Sequence, residues 1–203
     1  MGSLRTGLSV RYVLVAALAL SALAVEPSGA QGVGGGGEGA GPALWATVDA
    51  GYNHTCGIRD TGRLYCWGLD ADGALGNGSG LGDQLTPSEV TGGHTDWVAV
   101  SAGLLHSCGR RATGRLYCWG SDADGELGEG PGTADKQSPV PVTGAWTNAN
   151  APGAGGSHTC ATRVGGRLYC WGADSRGQLG EGAGAGDQQN PVEVNSAPPT
   201  GPR

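Results

Sequence analysis

The residues whose types could carry chemistry come in triplicate. His54, Cys56 and Cys66 are followed by His106, Cys108 and Cys118, and then by His158, Cys160 and Cys170, each set 52 residues after the last. A histidine beside two cysteines could ligate a metal, and a histidine alone could serve as a general base. A structural zinc site takes four protein ligands, usually from short loops that wrap the ion. No fourth ligand recurs at the 52-residue step, so neither a metal nor another cofactor is expected. An active site needs one specialised copy with a base oriented by a third group, whereas these histidines stand in the same setting in every unit. They read as imidazoles that bridge neighbouring units by hydrogen bonds. The sequence thus offers no catalytic residue, and the cysteines remain to be paired with one another.

Two further patterns resemble ligand loops. Asp70-Ala71-Asp72-Gly73 and Asp122-Ala123-Asp124-Gly125 suggest calcium, but a helix-loop-helix calcium loop needs its glycine at position six and a carboxylate at position twelve. Here the glycine is fourth, and the third copy is Asp174-Ser175-Arg176-Gly177. An Asp/Gly turn explains all three copies. Gly76-Asn77-Gly78-Ser79-Gly80-Leu81-Gly82 lacks the Lys-Ser/Thr ending of a phosphate loop and reads as a connection between strands.

The elements that must position these residues follow from one repeat. Gly62-Arg63-Leu64-Tyr65-Cys66-Trp67-Gly68 recurs letter for letter from Gly114 and from Gly166. A fixed period of this size means a solenoid, a propeller or an array. The first unit holds four short extended candidates, Trp45–Ala50, His54–Arg59, Arg63–Trp67 and Pro87–Val90, separated by Gly- and Asp-rich turns. That is the spacing of four-stranded blades, with Pro87 placed at a strand start, where proline is tolerated. The class is therefore all-β. The middle two candidates form a hairpin around Asp60-Thr61-Gly62. Centred on Thr61, the hairpin sets Cys56 opposite Cys66; the same symmetry sets Cys108 opposite Cys118 and Cys160 opposite Cys170. Directly opposed residues of antiparallel strands lie within disulfide reach.

Composition agrees with a stapled, glycine-built scaffold. Glycine supplies 42 of 203 residues and phenylalanine none, against an ordinary glycine share of roughly 7%. Such a chain has little with which to fill an oily core and must rely on close backbone packing, six tryptophans and covalent staples. The formal charge is −6; Arg5 and Arg11 are the only charged residues among the first 24, which leaves 10 basic against 18 acidic residues beyond them. A chain this acidic offers no footprint for a phosphate backbone, so nucleic acid is not expected as a partner.

Arg5 and Arg11, the apolar run from Tyr12 to Val25 and the small-residue exit Ala22-Leu23-Ala24 read as a secretory signal peptide over 1–24. Residues 25–44 read as a Gly-rich linker, 45–195 as three repeats (45–96, 97–145 and 146–195), and 196–203 as a Pro-rich tail. Export to an oxidising compartment suits paired cysteines. The expected location is extracellular, or the periplasm and cell envelope, with no membrane attachment once the leader is cut.

The unit Trp…Ala-Gly-x-x-His-Thr-Cys…Gly-Arg-Leu-Tyr-Cys-Trp-Gly…Gly-x-Leu-Gly…Pro-x-x-Val, spanning Trp45 to Val194, resembles the regulator of chromosome condensation repeat. The resemblance implies one four-stranded blade per repeat of a propeller that usually has seven. It implies for function what the family's members do, namely guanine-nucleotide exchange on a small GTPase or, in a secreted bacterial branch, β-lactamase inhibition. Two departures stand out. Only three repeats are present, so two or more copies or additional blades in a longer chain are expected to cover the open faces. The third unit also starts irregularly, with Trp146 three residues early and Pro152 where the other units have Val48 and Val100, so its opening strand should be frayed or absent.

Positions that stay constant between repeats hold the scaffold, and binding more plausibly sits where the repeats differ. Before each histidine stand Tyr52-Asn53, Leu104-Leu105 and Gly156-Ser157. If Tyr52, Asn53, Leu104 and Leu105 share one rim, they make a contact patch for a protein. The sequence reading is a secreted, non-enzymatic binding module for a protein partner or a surface. The alternatives are an enzyme regulator and a structural protein of an envelope or matrix.

Overall fold

The computed structural model describes residues 43–78, 80, 82–182 and 186–195. The expected signal peptide (1–24), all but the last two residues of the expected linker, and the tail (196–203) lie outside them.

Three antiparallel sheets follow one another along the chain. The first is β1 (Trp45–Ala50), β2 (His54–Arg59), β3 (Leu64–Gly68) and β4 (Gln84–Glu89), hydrogen-bonded in that order. The second repeats it with β5 (Trp97–Ala102), β6 (His106–Arg111), β7 (Leu116–Gly120) and β8 (Lys136–Pro141). The third has β9 (Gly153–Ala154), β10 (His158–Thr162), β11 (Leu168–Gly172) and β12 (Gln188–Glu193). Among the described residues the only helical element is a 3-10 turn at Ala71–Gly73. The sheets, here called blades 1 to 3, approach one another through their first strands: β1 packs on β5, and β5 on β9. These are three blades of a β-propeller, all-β as the sequence implies.

The central hairpin of each blade follows from its turn residues. Arg59 N–H bonds to the Arg63 carbonyl and Gly62 N–H to the Arg59 carbonyl, both at 2.9 Å. Gly62 sits at φ +74°, the left-handed residue that completes a three-residue hairpin loop. This turn sets the register Cys56↔Cys66, and blades 2 and 3 repeat it with Cys108↔Cys118 and Cys160↔Cys170. Each pair is joined by a disulfide across a Cα–Cα distance of 4.1 Å, close to the spacing of a non-hydrogen-bonded strand pair.

Two strand boundaries differ from the sequence reading. β3 runs Leu64–Gly68 rather than Arg63–Trp67, and β4 runs Gln84–Glu89 rather than Pro87–Val90. Pro87 thus lies inside its strand. It is tolerated because β4 is the outer edge of the blade and its register with β3 slips between Cys66 and Gly68, so a bulge absorbs the missing N–H. The opening strand of the third blade is cut to two residues, β9, directly after Pro152. Trp146 reaches the usual tryptophan position from outside that strand. It packs edge-on against Tyr169 and tilted against Trp171 at 5.7 and 5.8 Å, as Trp97 meets Tyr117 and Trp119 at 5.7 and 6.1 Å.

The apolar cores lie between blades rather than within them. One gathers Cys56, Leu64, Cys66 and Leu75 of blade 1 with Trp97 and Trp119 of blade 2. The other gathers Cys108, Leu116, Cys118 and Leu127 of blade 2 with Trp146 and Trp171 of blade 3. Each blade therefore offers its disulfide and leucines on one side and its tryptophans on the other.

Candidate functional site: the axial rim

Two of the three repeat histidines, His54 and His106, are engaged in the seams between blades. Ser107 Oγ donates to the Ala74 carbonyl at 2.9 Å. A hydroxyl has one proton, so at the 2.8 Å contact between His54 Nε2 and Ser107 Oγ the imidazole donates. Trp119 Nε1 donates to the same Ala74 carbonyl at 2.9 Å. The next seam repeats the set: His106 Nε2 donates to Thr159 Oγ1 at 2.9 Å, and Thr159 Oγ1 and Trp171 Nε1 donate to the Glu126 carbonyl at 2.9 and 2.8 Å. His106 is fully buried, and Nδ1 has no partner. Burial, helped by the neighbouring His54 and His158, lowers its pKa to about 4; burial also lowers His54, against the opposing charge of Asp49. With Nε2 donating across the seam, the neutral His54 and His106 rings act as struts between blades.

The aspartates of the Asp-x-x-Gly turns each fold their own loop through one oxygen, Oδ1, while Oδ2 of Asp70 and Asp122 is buried without a partner. Asp70, Asp122 and Asp174 each accept the backbone N–H five residues on, from Leu75, Leu127 and Leu179, at 3.0, 3.0 and 2.9 Å. Burial raises the carboxyls of Asp70 and Asp122, the latter to about 6. The arginines brace aromatic rings: the Arg59 guanidinium lies 4.5 Å from the Trp45 ring centre, and that of Arg163 lies 4.4 Å from the Trp146 ring centre.

What remains is the set of turns between first and second strands. Tyr52 N–H bonds to the Gly103 carbonyl at 3.1 Å, and Leu104 N–H to the Gly155 carbonyl at 3.3 Å, which lines the three turns up side by side. The close approach needs Gly51, where a Cβ would come within 2.4 Å of the Gly103 carbonyl oxygen. Together the turns line a concavity of about 310 Å³ built from Ala50, Gly51 and Tyr52, from Ala102, Gly103 and Leu104, and from the matching residues of blade 3. Tyr52 is 72% exposed, and Leu104 is half-buried. Of the residues singled out in sequence, Tyr52 and Leu104 meet in this concavity. Asn53 and Leu105 stand one step away, with their carbonyls tied to the N–H groups of Leu69 and Ser121 at 2.9 and 3.0 Å.

Two supports of the rim escaped the sequence reading. Asp49 Oδ2 accepts the N–H of Ala102 at 2.8 Å, and Ser101 Oγ accepts that of Ala154 at 3.1 Å. The only sequence signal for them is a polar residue one step before the Ala-Gly pair in blades 1 and 2, with glycine at that place in blade 3. The rim thus offers an exposed phenol, an apolar patch and bare backbone on a braced frame, which suits contact with another macromolecule.

Comparison with known proteins agrees with this architecture. The sequence profile of the regulator of chromosome condensation (RCC1) repeat matches residues 45–74, 97–126 and 153–178, and a second profile of the same repeat matches 61–109. The chain is 35% identical over 149 residues to the ultraviolet-B receptor UVR8 of Arabidopsis thaliana, covering 72% of this chain and 33% of that protein. It is 31% identical over 134 residues to the probable E3 ubiquitin-protein ligase HERC6 of Homo sapiens, covering 65% of this chain and 13% of the ligase. The crystal structure of yeast RCC1 (Prp20) bound to Kap60 is similar in fold, with a TM-score of 0.66 at 20% identity over 73% of this chain and 36% of that one. The chain thus spans about a third of the length of UVR8 and far less of the ligase.

Proposed function

The chain belongs to the regulator of chromosome condensation repeat family, and from that membership we propose that it is a secreted, non-enzymatic module that binds a protein through its axial rim. One observation carries the reading. The seam histidines, the hairpin cysteines and the tryptophans that follow them (Trp67, Trp119 and Trp171) recur at the 52-residue step, whereas the residues before each histidine change from Tyr52-Asn53 to Leu104-Leu105 to Gly156-Ser157. A surface that varies on a fixed frame is where recognition is placed in repeat proteins. The seam histidines His54 and His106 and the turn aspartates each spend one polar atom on the scaffold, and they stand apart from the rim concavity, whose lining is small, apolar and phenolic. Yeast RCC1 is bound to Kap60 in one structure, and another describes its binding to Gsp1p and histones, so the scaffold is suited to protein contact. The HERC ligases share only the repeat portion with this chain. Secretion rests on the leader-like start of the sequence together with three disulfides, which persist in oxidising compartments. The same disulfides speak against exchange on a cytosolic GTPase.

A photo-crosslinking residue placed at Tyr52, with a control at the exposed hairpin-tip residue Thr113, tests the reading on protein recovered from the culture medium. The expected result is a discrete crosslinked protein from position 52 alone, and no reactive thiol. Equal crosslinking from both positions, or a protein retained in the cell with free thiols, would overturn it.

A further inference from the structure

We infer that blade 3 of one copy docks on blade 1 of a second copy, re-creating between chains the seam that joins blades within one chain. The two seams inside the chain are superimposable in chemistry. In each, a histidine and a leucine of the leading blade meet a hydroxyl and a tryptophan of the following blade, and the last two both bond to one carbonyl of the leading blade. The described residues contain the two halves of a third such seam, at opposite ends of the array. Blade 3 carries the leading half: His158, Leu168 and the carbonyl of Gln178, which stands 52 residues after Glu126. Blade 1 carries the following half: Thr55, which stands 52 residues before Ser107, and Trp67, 52 before Trp119.

Exposure marks both ends as uncovered halves of this contact. Leu168 is 39% exposed, whereas Leu64 and Leu116, at the same place in the other blades, are 1% exposed. At the other end Trp45 is 44% exposed against 2% for Trp97, and Val48 is 66% exposed, although its counterpart Val100 packs against the first inter-blade core. Leu85 is 96% exposed at the place where Gln137 and Gln189 lie against Gly73 and Gly125 of the preceding blade; the matching glycine of blade 3, Gly177, has nothing within 4 Å of where its Cβ would be. In a closed pair, a second copy covers both faces. His158 then donates to Thr55 of that copy, and Thr55 and Trp67 of that copy donate to the Gln178 carbonyl. The contact is heterologous, so it closes if the rotation allows; two copies give six blades, within the range of four to eight at which propellers close.

Sedimentation equilibrium on the oxidised full chain tests this, with two variants at exposed positions, Val48→Glu on blade 1 and Leu168→Lys on blade 3. The wild type should have the mass of two chains, and each variant alone the mass of one, with unchanged far-ultraviolet circular dichroism. An equimolar mixture of the variants should regain dimers, because the intact blade 3 of V48E meets the intact blade 1 of L168K. A self-complementary contact gives no such rescue. A monomeric wild type would overturn the inference and leave these faces to further blades or another protein. Dimeric single variants would overturn it too, as would a mixture that stays monomeric.

Discussion

Replacing Glu126 by glutamine should remove most of one pH-dependent weakness of the fold. Glu126 follows β7 in the turn whose carbonyl receives Thr159 and Trp171, and its side chain is 3% exposed. Burial pushes its carboxyl from the ordinary 4.5 up to about 7; the charges of Asp124 and Asp122 add to this, while backbone hydrogen bonds from its own N–H and that of Asp124 oppose it. The sign follows from the raised value. Below about pH 4.5 the carboxyl is protonated in both folded and unfolded chains and costs nothing. As pH rises toward 7 the unfolded chain ionises while the folded one holds its proton, so stability falls, and it stays low above pH 7. Each pH unit in that interval is worth about 1.36 kcal/mol, so the full loss is about 3 kcal/mol. Blade 3 supplies the control geometry. Gln178 Oε1 accepts the Arg176 N–H at 2.8 Å, as Glu126 Oε2 accepts the Asp124 N–H at 2.9 Å, so Glu126→Gln keeps the contact and drops the titration. Urea unfolding of oxidised protein, extrapolated linearly to water, should place E126Q within about 1 kcal/mol of wild type at pH 5 and about 3 kcal/mol above it at pH 8. An equal gap at both pH values would refute the reasoning, because it would mean that Glu126 does not titrate across that interval.

Thr159→Val removes the hydroxyl between His106 and the Glu126 carbonyl and leaves the buried imidazole N–H without an acceptor, so unfolding should become easier by about 1–3 kcal/mol; Thr159→Ser should restore it, because Ser107 fills that role in the first seam. Replacing Cys108 and Cys118 together by alanine opens a loop with a sequence separation of 10, and the chain-entropy estimate for that length is a loss of roughly 2–3 kcal/mol. Mass spectrometry of the alkylated, unreduced variant should still find two disulfides, and labelling of any remaining cysteine would contradict pairing within each hairpin.

Much of this architecture was legible because it is written three times. The glycine that closes each turn in the left-handed region, Gly62, Gly114 or Gly166, fixes the hairpin, and the hairpin fixes which cysteines face each other. The histidines could be read as struts because each unit had the same one, and His54 and His106 are such struts, while His158, in the last blade, bridges to no neighbour among the described residues. The outer strand was less legible: Pro87 pulled the expected boundary inward, and the bulge that accommodates it depends on β4 being an edge, which is a tertiary fact. Trp146 was also misleading in isolation, since its offset from the repeat conceals that it packs where Trp97 does. The rim was half legible. Variation between repeats pointed to Tyr52 and Leu104, but a backbone hydrogen bond between turns decides that these two, and not Asn53 or Leu105, line the concavity.

The placement of the apolar cores at the seams has a consequence for how such a chain can change in length. The hydrogen-bonded groups of both seams stand at the same sequence offset, and only the packing tryptophan Trp146 departs from it, so a duplicated 52-residue unit arrives with both halves of its contacts in register. Growth by whole units therefore needs no compensating substitution, whereas the loss of half a unit strands a disulfide and its leucines without their tryptophan.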